Sequence, residues 1–439
     1  MIKETVSALR LTLQGENVGY VAGYSNGKNV FTLAPEYLHN EARQPLTLSH
    51  ANPESLARQL AHKHPYISSH KLHPVLSNLL PEGALRDYLS QAMKVHRDNE
   101  FPLLGWLGRD LPGALMADPI EASQVPALAL QQHGKIEPAV IDIPDSRAHF
   151  SLAGVQMKFS MRDQEGRYIT GDRNAPGDWI IKTPSTVHPF VPLNEYTAMT
   201  LAALAGVDIP EIKLIPMSNI EALPNINLPN ERYAYGIRRY DRLPDNKRVH
   251  SEDFAQILFA YAHDKYTAGS YDQIGKLLYQ NSSHGQRDAV QMAIRLLVNI
   301  LLANGDAHLK NWSMIYPDGR NAELSPAYDI VVTKAYIPDE VQFGLNMDKT
   351  KNWYEVSFEH FKRWAEYGDI PWRPVLYNLR ATLEKARALW PTALEGSEMT
   401  EDQRNVLRAH WKQLHPDFQI QLLQGGGNIT KNAQTKTPL

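Results

Sequence analysis

Cysteine is absent from the 439 residues, which excludes disulfides, thiolate metal sites and a cysteine nucleophile and agrees with a reducing compartment. A dominant charge is missing too. The 45 Lys and Arg oppose 48 Asp and Glu for a formal net charge of −3, so no whole-molecule field draws nucleic acid or anionic lipid to the chain. Contact with DNA would be local or supplied by a partner. The longest apolar run, VQMAIRLLVNILLA, is broken by Arg295 and Asn299 and is too short to span a bilayer. The opening MIKETVSALRLTLQGENVGY lacks the unbroken apolar segment of a signal peptide. A soluble, cytoplasmic protein without a membrane partner is the expectation. Two phosphate-binding motifs are also absent: neither GxxxxGK[ST] nor GxGxxG occurs, which argues against a P-loop and removes the ordinary glycine-rich flap.

The length is about three times that of a typical domain, which implies two or three domains or one large bilobal unit. Residues 1–120 begin with alternating runs, VGYVAGY and NVFTLAP around Ser25, Asn26 and Gly27, that read as a small antiparallel sheet, with helices after it. Residues 121–147 are rich in Pro, Ala and Gln with little periodicity and read as a linker or surface insert. From 148 to 243 strand signals return: AHFSLAGVQMKFSM, then GDWIIKTPS ending in Lys182, then PEIKLIPM and RYAYGIRRYD. Between them a helix is expected from about Leu193, with Tyr196, Met199, Thr200, Ala203 and Leu204 at helical spacing, closed by Gly206. Residues 244–424 read as mostly helical, with Thr400 and Gln403 as a capping box. The last residues, 425–439, have too little apolar content to fold and read as a flexible tail. No internal repeat is found.

One stretch concentrates chemistry. NGDAHLKNW, residues 304–312, follows a helical stripe of Val290, Ala293, Ile294, Leu297, Val298 and Leu301. Asn304-Gly305 is read as the left-handed stop of that helix, which makes Asp306 the first loop residue. WSMIY, the turn Pro317-Asp318-Gly319 and AELSPAYDIV follow as a hairpin that delivers a second acid, Asp329. Asp306, Asn311 and Asp329 can therefore converge. Phosphoryl transfer uses such a set: one acid orients the attacking hydroxyl, while an amide oxygen and a second carboxylate hold Mg²⁺ against the nucleotide phosphates. Asp306 precedes Asn311 by five residues, the spacing of the kinase catalytic loop. Upstream come a hairpin able to cover phosphates, a strand lysine (Lys182) and a helix whose first turn carries Glu195 as its partner. The order predicts an α+β, bilobal, protein-kinase-like fold, with a mixed α/β N-terminal half of small antiparallel sheets and a mostly helical C-terminal half.

Blander readings stand beside these. A lysine ending a strand or an acid after a helix is usually a solvated end. Asp306 with His308 would start a metal-hydrolase site, but no third ligand cluster at helical spacing accompanies them. The pairs His62/His64 and His70/His73 read as surface histidines. SLAGVQMK, residues 151–158, is the only flap candidate and has a single glycine; it also fits an ordinary hairpin turn.

Across nearly its whole length the chain resembles the HipA-type serine/threonine kinases, toxins of bacterial toxin–antitoxin modules. The resemblance rests on FSLAGVQMKFSM, WIIKTPS, NEYTAMTLAALAGVDIPEIKLI, YGIRRYDR, SEDFAQILF, GDAHLKNWS, LSPAYDIV and FGLNMDKTK, and on NLLPEG with LGRDLPGAL earlier in the chain. It implies Asp306 as the catalytic acid, Asn311 and Asp329 as Mg²⁺ ligands, and Lys182 as the ATP phosphate lysine. Ala153, Gly154, Val155 and Gln156 would form the phosphate-cradling loop, with His308 also on the nucleotide side. The strand at Arg239 and Tyr240 would meet adenine through its backbone. Ser151 matches the family's self-phosphorylated serine, and a dianion beside a phosphate-binding loop would repel nucleotide and inactivate the enzyme. Met157 stands where relatives often carry a polar residue.

The same resemblance implies a helix-turn-helix antitoxin of HipB type that carries the kinase to operator DNA, and a protein serine as substrate, with aminoacyl-tRNA synthetases the known type of target. Two other readings stay open. GDAHLKN also fits the G-D-x-H-x-x-N loop of aminoglycoside and choline kinases, although LAGVQMKF, EDFAQ and the long N-terminal region do not. A catalytically silent co-repressor would be marked by loss of Asp306, Asn311 or Asp329, and all three are present.

Overall fold

A computed structural model describes residues 4–130, 136–138, 156–170, 177–221, 223 and 227–421. The alternating runs of the N-terminal region form strands β1 (Glu4–Leu13), β2 (Glu16–Tyr24) and β3 (Lys28–Leu33). Gly27, at φ +81°, supplies the left-handed residue that turns β2 into β3, and its N–H bonds to Tyr24 O at 2.9 Å. With β4 (Tyr66–Ser69) and β5 (Leu115–Ile120) they give the order β4-β3-β2-β1-β5. A short β6 (Ile136–Pro138) pairs in parallel with β1, so part of the expected linker extends this sheet. Helices α1 (Pro53–Lys63), α2 (Gly83–Ala92) and α3 (Glu100–Leu107) come from the same region.

A second sheet runs β10-β12-β9-β7-β8-β11. Its strands are β7 (Lys158–Gln164), β8 (Arg167–Thr170), β9 (Trp179–Lys182), β10 (Ile212–Pro216), β11 (Ile220–Glu221) and β12 (Tyr233–Arg238). Its neighbours are antiparallel except β8 and β11. The two sheets share one apolar core: Leu11, Val21 and Phe101 belong to the same cluster as Phe159, Trp179 and Ile181. Burial thus joins residues 4–120 to the second sheet.

Helix α4 (Val191–Leu204) starts two residues before the position that periodicity suggests, with Pro192 in its first turn, and Gly206 at φ +100° closes it. Glu195 is accordingly its fifth residue, past the first turn. The remaining chain is built around α5 (Tyr271–Asn281), α6 (Gly285–Leu301), α7 (Phe358–Tyr367), α8 (Trp372–Glu395) and α9 (Glu401–Gln413), with the Thr400/Gln403 capping box formed at the start of α9. Their apolar faces make a second core, into which α4, Tyr235 and Ile237 also pack. Strands β13 (His250–Asp253), β14 (Ser313–Tyr316) and β15 (Glu323–Leu324) form a three-stranded sheet on this lobe. The β14–β15 hairpin turns at Gly319, φ +83°. A last pair, β16 (Gln342–Met347) and β17 (Thr350–Asn352), follows.

One local expectation is corrected. Helix α6 ends at Leu301, and the left-handed residue after it is Ala303, at φ +50°. Asn304 and Gly305 lie beyond the stop. Glycine is needed at 305 for a different reason: a Cβ there would stand 2.1 Å from Glu340 Oε1 and 2.8 Å from the backbone oxygen of Gln342. Among the described residues no helix is long and apolar enough to cross a membrane.

Candidate active site

Antiparallel register brings the first part of the site together. Lys158 on β7 lies opposite Lys182 on β9, so both side chains leave the same face of the sheet. Lys182 ends buried, its Nζ bonded to Glu195 Oε1 of α4 and to Asp329 Oδ1. Lys158 Nζ reaches Asp329 Oδ2 at 3.1 Å. Burial alone would weaken the Lys182 ammonium, but the Asp329 and Glu195 carboxylates override it and raise its pKa. Asp329 feels the reverse: against the effect of burial, Lys158 and Lys182 hold its carboxyl well below the usual range. Asp329 adopts φ +55°, a left-handed backbone that Asp tolerates better than most residues.

The second part is the loop after α6, held by a chain of amides. Asn299 Nδ2 donates to Arg295 O at 2.9 Å, and Asn304 Nδ2 to Asn299 Oδ1 at 2.7 Å. Asp306 N–H donates to Asn304 Oδ1 at 3.1 Å, and Asn311 Nδ2 closes the loop on Asp306 O at 2.7 Å. Asn304 itself is buried. Asn311 and Asp329 line one cavity with Arg295, Asn299, Asn304 and Tyr328. The Asp306 side chain is 51% exposed and so stays open to a reactant. Its Oδ1 accepts the Tyr266 hydroxyl and lies 3.9 Å from His308 Nε2. Burial drops the His308 pKa to about 4, despite the nearby Asp306 carboxylate, so the ring is neutral at physiological pH.

The N-terminal region grips this loop from outside. Lys310 Nζ lies 3.1 Å from Glu82 Oε1 and 2.8 Å from Asn78 O, and Lys265 Nζ lies 3.0 Å from Glu82 Oε2. Burial would raise the Glu82 pKa, but Lys310 and Lys265 bring it down to about 2.

Arg239 and Tyr240 make contacts within the protein. Arg239 follows β12, and its N–H already donates to Asp178 O at 2.8 Å. Its guanidinium is buried against Asp241 and Asp110, at 2.9 Å and 2.8 Å. That N–H is thus engaged within the protein and not presented to a base. Tyr240 packs its ring against Tyr328, centroids 5.9 Å apart. Gln156 is half-buried, and its Nε2 has no partner among the described residues. Ser151, Ala153, Gly154 and Val155 lie outside the described residues.

Sequence reasoning missed Lys158, Tyr266, Asn304 and the Glu82 clamp. Lys158 carried a signal, since its run alternates in register with the strand of Lys182. Tyr266 carried none, being brought to Asp306 across 40 positions by tertiary packing.

The donors suit a hard cation. Among the described residues no cluster of three or more His, Cys, Asp or Glu could cage a metal alone. An ionised carboxylate and an amide oxygen bordering one cavity are what Mg²⁺ uses when substrate phosphates and water complete its shell.

A sheet-rich lobe carrying a lysine–carboxylate pair, set on a helical lobe with an exposed loop acid, is a kinase-like fold. The family of the HipA-like C-terminal domain matches residues 150–390, and that of the HipA N-terminal domain matches residues 9–117. The putative kinase Y4dM of Sinorhizobium fredii is 35% identical over 408 residues, covering 92% of this chain and 96% of the relative. The serine/threonine-protein kinase toxin HipA of Shewanella oneidensis is 26% identical over 311 residues, 64% of this chain and 67% of the relative. In fold, the chain is similar to a solved structure from the HipA, HipB and operator DNA complex of Shewanella oneidensis. The TM-score is 0.67 at 19% identity, covering 92% of this chain and 95% of the other. The chain belongs to the HipA family.

Proposed function

We propose that the chain is an ATP-dependent serine/threonine protein kinase, acting in the cytoplasm as the toxin of a toxin–antitoxin pair. The observation that carries this reading is the joining of Lys182, Glu195 and Asp329 across two lobes beside a loop in which Asn311 is bonded to Asp306. Without a ligand, the lysines and Asp329 neutralise one another. A triphosphate with its divalent cation gives each a new partner of opposite sign, so the exchange leaves no buried charge unpaired. Lys182 then holds phosphate oxygens, with Glu195 keeping its ammonium in place. Asn311 and Asp329 supply the oxygens for Mg²⁺, which when bound neutralises phosphate charge. Asp306 accepts the proton of the attacking seryl hydroxyl; a new bond from that oxygen to the γ-phosphorus forms as the bond to ADP breaks.

Ser151 is the proposed self-phosphorylation site and residues 153–156 the phosphate cradle. Contact of Arg239 and Tyr240 with adenine would have to use backbone groups other than the Arg239 N–H. The likeness to a HipA from a HipB and operator DNA complex supports an antitoxin of that type as partner, with DNA met mainly through it. Incubation with γ-labelled ATP tests the enzyme directly. Label should enter a seryl residue of the chain or of an added protein and be lost in Asp306→Asn; equal labelling by that variant would refute the assignment.

A further inference from the structure

Tyr266 hydrogen bonds to the proposed base from outside the loop that carries it. We infer that Tyr266 is a positioning residue for phosphoryl transfer, fixing the Asp306 carboxylate so that Oδ2 faces the acceptor hydroxyl. This inference rests on the kinase reading above. The phenol hydrogen bonds to Asp306 Oδ1, and about half of the Asp306 side chain is exposed. An exposed aspartate otherwise rotates among rotamers. A phenol–carboxylate bond is charge-assisted and directional, and it selects one of them.

The tyrosine is itself held on several sides. Its ring meets His308 edge-on at 5.0 Å. Lys351 Nζ donates to Tyr266 O at 3.2 Å. The preceding Lys265 is tied to Glu82 at 3.0 Å, and its carbonyl takes the N–H of Leu309 at 3.1 Å. The phenol is therefore braced by the N-terminal region, by the β16–β17 pair and by the catalytic loop it serves. The hydroxyl also stays protonated, because burial and the adjoining Asp306 carboxylate raise its pKa; it can only donate to Oδ1.

Tyr266→Phe removes the hydroxyl and keeps the ring against His308. Turnover of γ-labelled ATP is measured as labelled protein plus released phosphate, in wild type, Tyr266→Phe and Asp306→Asn. The expected result is a ten- to hundredfold lower kcat in Tyr266→Phe, about the loss from displacing a reacting group by an ångström, with KM for ATP and the melting temperature unchanged. Unchanged or raised turnover overturns the inference, since a hydroxyl that merely occupies the acceptor position would raise it when removed. A parallel rise in KM for ATP also overturns it. A wild type no more active than Asp306→Asn instead overturns the kinase reading.

Discussion

Removing the ammonium of Lys182 would leave the Glu195 and Asp329 carboxylates together with only Lys158 between them. Lys182 is 4% exposed and Glu195 1%, so Glu195 would have no water to replace its partner. Stranding a buried charge in this way costs roughly 3–5 kcal/mol. Lys158 is a different case. Its side chain is 49% exposed, and an exposed pair contributes no more than about 1 kcal/mol. Lys182→Met should therefore lower the urea midpoint markedly, Lys158→Met only slightly, and both should impair ATP turnover. Adding Glu195→Gln to Lys182→Met should restore much of the stability and none of the activity. Denaturation of the single and double variants checks this; equal destabilisation by the two lysine variants would show that burial does not set the cost.

At the scale of elements, the β14–β15 hairpin, α4 and the lysine-ending β9 were legible because period-two alternation, helical spacing and Pro-Asp-Gly turn chemistry act over a few neighbours. The stop of α6 was misread by one or two positions for a physical reason. Asn-Gly is the better left-handed pair, yet Ala303 takes that conformation while Asn304 is drawn inward by Asn299 and Asp306. Side-chain hydrogen bonds within this short stretch outweighed backbone preference. The ion pair of Arg239 was not legible in the sequence, since its partner Asp110 lies 129 residues away, beyond any local pattern. A test follows for the loop. Gly305→Ala places a methyl 2.8 Å from the Gln342 carbonyl, and unlike the Glu340 side chain that backbone cannot swing aside. The loop should shift, so ATP turnover should fall by about tenfold or more with a melting point only a few degrees lower; full activity would show that β16 yields instead.

On the scale of the whole molecule, the N-terminal region and the helical lobe meet at a buried carboxylate whose protonation should be visible in stability. Glu252 on β13 accepts the Leu48 N–H at 2.7 Å and the Tyr316 hydroxyl. Burial raises its pKa to about 7, against the pull of those donors. A raised carboxyl binds its proton in the folded state at pH values where the unfolded chain has released it. Its contribution is greatest below the ordinary 4.5, declines as pH climbs, and levels off above about 7, a change of roughly 3 kcal/mol. The neighbouring His250 works the other way. Burial lowers its pKa to about 4, so it favours the folded state increasingly from pH 4 to 6.5, as do His50, His308 and His410. The wild-type profile therefore mixes opposing slopes, and only a difference isolates Glu252. Glu252→Gln keeps the shape and an acceptor oxygen for Leu48 and removes the titration. Its stability relative to wild type, from urea unfolding at several pH values, should rise between pH 5 and 7 and stay flat above. A difference independent of pH would mean that Glu252 is ionised throughout, with its charge met by the Leu48 and Tyr316 donors alone.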